Sequence, residues 1–166
     1  MQEETFTPDD RDDRALRAAF GRFATGITVV TIAGPDGPMG FIANSFSSVS
    51  LDPPLVLWAL AKSSVRYAQF HAARHFAIHV LCAEQHPLIS RFIRGGVGFE
   101  GLAYHINAAS VPILPGALAR FDCDQHATHD GGDHQIILGR VTRATCGGGM
   151  PLVFCHGLFG GFTAGN

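Results

Sequence analysis

The sequence predicts a mainly β chain, a barrel of antiparallel strands with helices at its periphery. Short runs rich in β-branched and apolar residues recur from residue 27 to residue 162. Clusters of Gly and Pro, such as GPDGP (34–38) and HDGGD (129–133), separate them with turn chemistry. Most of the connections are shorter than the dozen residues that a parallel crossover needs, so the strands pair antiparallel.

Taken in order, residues 1–12 read as a flexible polar tail and 13–162 as one domain. From Asp13, Leu16, Ala19, Phe20 and Phe23 fall at i, i+3, i+4 and i+7, one face of a helix stopped by Gly26. ITVVTIA (27–33) and MGFIANSF (39–46) then form a hairpin across GPDGP. Pro53 and Pro54 exclude a helix start before Leu55, and the near-continuous apolar run through 61 predicts a strand buried on both faces. Ser63 or Ser64 caps a helix through Arg74, with Tyr67 and Phe70 turned to the core. A strand at 75–82 and a helix at 83–94 follow, then a loose glycine-rich stretch, 95–101. Strands at 117–128 and 134–145 flank the HDGGD turn, and 152–162 is a final strand.

Composition excludes several classes. With 46% hydrophobic and 16% charged residues the chain is not disordered, and a net charge of −2 with scattered cations gives no reason to expect nucleic acid or a membrane surface as partner. No stretch approaches the roughly 18 apolar residues of a spanning helix, and the acidic start does not read as a secretory signal. Cys82, Cys123, Cys146 and Cys155 form no C-x-x-C pair, so buried reduced thiols and the cytoplasm are expected.

Gly96-Val97-Gly98-Phe99-Glu100-Gly101 matches G-x-G-x-x-G formally. A helix precedes it and no helical stripe follows, so it lacks the strand–turn–helix context that seats a pyrophosphate. His126, His129, Asp130, Asp133 and His134 cluster in sequence, but His126 and His129 point to opposite faces of a strand, and no metal site is expected. The small residues of 39–50 allow close backbone approach by a planar ligand, with Asn44, Ser45, Ser47 and Ser48 as hydrogen-bonding groups. AKSS (61–64) sets Lys62 beside backbone N–H groups that suit an anion.

FGRFATGITVVT (20–31), GFIANSFSSVSLDPP (40–54), HVLC (79–82), GGDHQIILGRV (131–141) and PLVF (151–154) occur in that order. The set closely resembles the flavin reductase-like family of FMN-binding split barrels, which includes reductase components of two-component flavin monooxygenases. The resemblance spans about residues 14–162 and rests on the SFSSVSLDPP and GDH pieces together. It implies a homodimeric, antiparallel Greek-key split barrel that passes hydride from NADH or NADPH to FMN or FAD and supplies a partner monooxygenase. Pro38, Met39, Gly40, Phe41 and Ile42 would line the isoalloxazine, with Asn44 and Ser45 beside it. Ala59, Ala61, Lys62, Ser63, Ser64 and Val65 would hold the ribityl phosphate, and Ile93 and Arg94 would approach the flavin tail. Gly131, Gly132, Asp133 and His134 would meet the nicotinamide nucleotide, with His134 as the candidate catalytic residue that orders it. Ile42 stands where many members carry threonine, which leaves backbone N–H groups to serve the ring, and His79 stands where asparagine is frequent. A non-catalytic flavin-binding protein and a split-barrel oxidase with its own substrate are the rival readings.

Overall fold

The computed structural model describes residues 3, 5–8, 13–93 and 98–165. Helix α1 (Arg14–Phe20) leads into strands β1 (Thr25–Gly26), β2 (Thr28–Gly34), β3 (Gly37–Ala43), β4 (Ser47–Leu51) and β5 (Pro54–Ala61). Helix α2 (Tyr67–Ala72), β6 (His75–Val80), a 3-10 turn (Ala83–Gln85) and α3 (Leu88–Phe92) follow. Two short strands, β7 (His105–Ile106) and β8 (Pro112–Ile113), precede the long hairpin β9 (Ala119–Gly131) and β10 (His134–Cys146). The chain closes with β11 (Val153–Cys155) and β12 (Leu158–Gly160).

One seven-stranded antiparallel sheet, in the order β3-β2-β6-β9-β10-β5-β4, forms the barrel wall. Its margins meet where the Ala59 N–H donates to Ser45 Oγ at 2.9 Å, so β3 and β5 approach without sharing a ladder. Inside lie Trp58, Leu60, Phe70, Phe76, Ile78 and Ile137, all but removed from water. A second cluster under α3 gathers Ile27, Val29, Leu81, Phe92, Phe99 and Leu152.

These two clusters explain a reversal of expectation. Burial on both faces belongs to β2, where Thr28 through Ile32 are all buried between them. Along β5, only Val56, Trp58 and Leu60 are buried and the outward Leu55, Leu57 and Ala59 are half-exposed. The two β2 threonines keep their hydroxyls satisfied, Thr28 donating to Ala43 O at 2.7 Å and Thr31 to Pro112 O at 2.6 Å. His79, fully buried on β6, links Val29 O through Nδ1 at 3.1 Å and receives the Leu114 N–H on Nε2 at 3.1 Å. It therefore staples the 111–114 cover segment to the sheet.

Other elements are shorter than the sequence predicts. The helix read from Ser63 to Arg74 spans only Tyr67–Ala72, because Ser64 accepts the Arg66 N–H at 3.2 Å in a turn that precedes it. The helix read at 83–94 is broken at Pro87 into the 3-10 turn and α3. The final strand is instead a hairpin, turned by His156 and Gly157 at φ 52 and 77. Cys82 and Cys123 are buried as expected, whereas Cys155 is half-buried and Cys146 exposed; all four are free thiols. None of the residues of α1 is buried, and Phe20 and Phe23 face water. No helix among the described residues is long and apolar enough to cross a membrane.

Candidate functional site

The ladder between β10 and β5 sets His134 opposite Ala61, so the tip of the β9–β10 hairpin lies beside the turn that leaves β5. The Lys62 N–H donates to Asp133 O at 2.9 Å. Lys62 Nζ donates to Gly132 O at 2.6 Å and forms an ion pair with Asp130. The hydrogen bond that Lys62 Nζ donates to Asp130 holds the Asp130 carboxyl below the usual carboxylate range. Gly132 has φ +74 in the two-residue loop, the conformation that favours glycine at the first central position of a tight hairpin. Beside it the His134 ring meets Asp133 through Nδ1 at 2.7 Å, and this contact lowers the Asp133 carboxyl. Thus 61–64 and 130–134, read separately from sequence, form one surface.

The turn 62–65 has donors to spare. Among the described residues the Ser63 hydroxyl and the N–H groups of Ser63 and Val65 have no partner, while the Ser64 N–H is used by Ala61 O at 3.1 Å. With the Lys62 ammonium alongside, this is a donor set that fits a phosphate. Val65 itself is exposed.

Across the gap, β3 is an edge strand, and its carbonyl at Gly40 points away from β2 into the guanidinium of Arg66 at 2.7 Å. By strand alternation the Ile42 N–H opens on the same edge. The side chains of β3 are committed elsewhere. Met39 and Phe41 turn to the barrel interior, Phe41 with its ring 5.7 Å from Trp58 and 5.6 Å from Phe70. Gly40 faces Phe92, where an added Cβ would lie 2.4 Å from the ring, so glycine is required by α3. Ile42 packs against the α3 cluster. Pro38 and Met39 also border a cleft of about 390 Å³ with Gln69, Phe99 and Tyr104. Ser45 is occupied by Ala59, leaving the exposed Asn44 amide as the free polar side chain at this end of β3.

Arg66 joins these parts and was not singled out by sequence. Nη1 donates to Gly40 O at 2.7 Å and Phe92 O at 2.8 Å, and Nη2 to Ile93 O at 3.3 Å. Its guanidinium lies 4.7 Å from the Phe41 ring centroid. The local signal was a cation at the start of a short helix, VRYAQF. Ile93 is half-exposed at the end of α3, and Arg94 lies outside the described residues.

Gly98 packs on Arg91, whose Nη1 donates to Gly98 O at 3.2 Å and Glu100 O at 2.8 Å, so this part of the glycine-rich stretch serves a turn. Among the described residues no three His, Cys, Asp or Glu side chains gather as for a metal. A second cavity of about 420 Å³ is lined in part by two ion pairs, His75 with Asp124 at 2.7 Å and Arg120 with Asp122 at 3.0 Å.

An antiparallel barrel whose margins part over a donor-rich turn is of the split-barrel, flavin-binding type. The flavin reductase like domain matches residues 20–163. The FMN reductase (NADH) SmoA of Agrobacterium fabrum is 53% identical over 161 residues, covering 97% of this chain and 92% of that protein. The reductase component of the flavin-dependent trigonelline monooxygenase of Acinetobacter baylyi is 43% identical over 88% of this chain, which spans 48% of its length. The NADH:FAD oxidoreductase SgcE6 of Streptomyces globisporus, solved with NAD and FAD fragments, superposes with a TM-score of 0.88 at 38% identity, covering 96% of this chain and 98% of that one. The chain belongs to the flavin reductase-like family, and its enzyme class is that of the flavin reductases.

Proposed function

We propose that the chain takes FMN or FAD into the gap between β3 and the β5–α2 turn, reduces it with NADH, and passes the reduced flavin to a partner monooxygenase. The observation that carries this reading is that the 62–65 turn keeps unspent donors, lies against the hairpin tip and is tied through Arg66 to the β3 edge. Relatives named for NADH and as monooxygenase reductase components support the choice of donor and acceptor.

Lys62, Ser63 and Ser64 hold the flavin phosphate together with the Val65 N–H, between Ala59 and Ala61 on one side and Ile93 on the other. Asn44 and the Ile42 N–H bond the polar edge of the ring, which lies along the backbone of Pro38, Met39, Gly40 and Phe41, with Ser45 fixing the margin. A bound flavin supplies a two-electron acceptor that no side chain here can provide. The protein's own contribution is to hold two rings in contact, which removes much of the entropic barrier. His134, with Nδ1 engaged by Asp133, turns Nε2 toward the nucleotide and orders it beside Gly131 and Gly132. No side chain need donate a proton for hydride transfer.

Residues 13–162 act as one domain behind the 1–12 tail, and the working state is a homodimer in the cytoplasm. Exposed Val49 and Leu51 on β4 and Phe20, Phe23 and Leu158 at the chain ends support dimerisation, and four free thiols support the compartment. Sedimentation at micromolar concentration checks the dimer, and a monomer there refutes it. The decisive experiment is anaerobic stopped-flow mixing of the protein and FMN or FAD with NADH and with NADPH. Rapid bleaching of flavin absorbance is expected with NADH. Tight flavin binding without bleaching assigns the chain to the non-catalytic carriers instead.

A further inference from the structure

Among the described residues Arg66 is the one buried cation beside the gap. It is 8% exposed, and its ion is neutralised by no carboxylate among the described residues. Its partners are three backbone carbonyls, of Gly40, Phe92 and Ile93, and its buried Nε–H has none. Buried charges are ordinarily paired, and an unpaired one costs stability unless something else makes use of its field. Burial lowers the Arg66 pKa, yet a guanidinium starts so high that it stays charged at neutral pH.

Two consequences follow for whatever lies on the β3 edge. The carbonyls of Gly40, Phe92 and Ile93 would oppose an electron-rich ring, and Arg66 occupies all three. The remaining net positive charge, in a site of low dielectric, favours added negative charge nearby. Phe41 beneath the guanidinium and the fork to two carbonyls on Nη1 fix it in place, so no reorganisation accompanies the reaction.

We infer that Arg66 is a positioning residue that sets the flavin's redox balance, its buried positive charge favouring the reduced, anionic flavin over the oxidised one. The inference rests on the proposed seating of flavin in the β3–β5 gap. The balance is simple: the nicotinamide gives up a hydride, two electrons with one proton, and becomes a cation. The flavin ring gains that hydride and one negative charge, and it is this charge that Arg66 stabilises. No further oxidant or proton donor enters.

The test measures dissociation constants for oxidised and for anaerobically reduced FMN, by fluorescence and absorbance titration, on the wild-type chain and on Arg66→Gln and Arg66→Lys. In Arg66→Gln the preference for reduced over oxidised FMN should fall at least tenfold, equal to about 30 mV for a two-electron couple. Arg66→Lys should bind both forms more weakly by a similar factor while keeping the wild-type preference, because it retains charge and loses the fork. A preference unchanged in Arg66→Gln, or lost equally in Arg66→Lys, overturns the inference. Should the variants not fold, the wild-type chain still decides. Its bound reduced FMN should keep the anionic absorbance spectrum at a pH where free reduced FMN has become neutral. Protonation at the same pH as the free form refutes the role of Arg66. A wild-type chain that binds no flavin refutes the proposed function itself, which is a separate outcome.

Discussion

Two cations four residues apart, Lys62 and Arg66, sit in opposite surroundings. Lys62 is on the surface, in an ion pair with the exposed Asp130, and reaches the hairpin tip through Gly132 O. Arg66 is buried under β3 and bonds only carbonyls from segments 26 residues away on either side. The exposed pair is screened by water and salt and holds little energy, so it can be exchanged for a ligand phosphate. The buried tie has no solvent to fall back on, so it fixes the backbone of the site. The same division separates two histidines of the sheet strands: His134 at the tip keeps one nitrogen available, and His79 in the core has both nitrogens committed.

The comparison breaks most readily at Arg66. Arg66→Met leaves three carbonyls near the core without their donor and should lower unfolding stability by about 3 kcal/mol or more, read by urea denaturation. Lys62→Met should cost less than about 1 kcal/mol; equal losses would abolish the distinction between the two sites.

His79 tests the buried side by pH. Burial lowers its pKa from 6.5 to about 4, so between those values the unfolded chain binds a proton that the folded chain does not. Stability is full above pH 6.5 and should fall by roughly 3 kcal/mol as pH drops toward 4. In His79→Asn this part of the slope should vanish, and a wild-type slope in the variant would show that other groups produce it.

At the exposed tip the effects should be functional. His134→Ala is expected to slow NADH oxidation by roughly tenfold to a hundredfold with flavin affinity retained, the penalty for losing orientation. Unchanged single-turnover rates would remove His134 from the site. Lys62→Ala should weaken FMN about tenfold and leave riboflavin, which lacks the phosphate, unaffected. Smallest of all, Asp130→Asn should change stability by less than about 1 kcal/mol. Any FMN affinity it alters should rise, since the carboxylate competes with phosphate for Lys62.

Much of the barrel was legible in local pattern. The β-branched run at Thr28–Gly34, the Gly-rich turn before His134 and the prolines before Leu55 each state their conformation within a few residues. The hairpin at β11–β12 was missed although His156-Gly157 offered a turn signal, because the apolar run on both sides reads as one strand. The site was legible in part. The segments 38–45, 59–65 and 131–134 stand out as candidates by residue type alone, whereas Arg66 does not, since three of its four contacts are to backbone, which carries no sequence signature.

By itself the sequence determined the order of the main strands and turns up to the final hairpin, the absence of a fingerprint context around Gly96–Gly101, and the family resemblance. These are readable because period, turn chemistry and motif order are properties of neighbours along the chain. Only the tertiary structure decided which polar groups are spent and which remain for a ligand. Ser45 closes the barrel, Phe41 fills it, Gly40 makes room for Phe92, and Ser63 stays free. That allocation depends on which distant donors and acceptors the sheet brings within about 3 Å, the range over which a hydrogen bond forms.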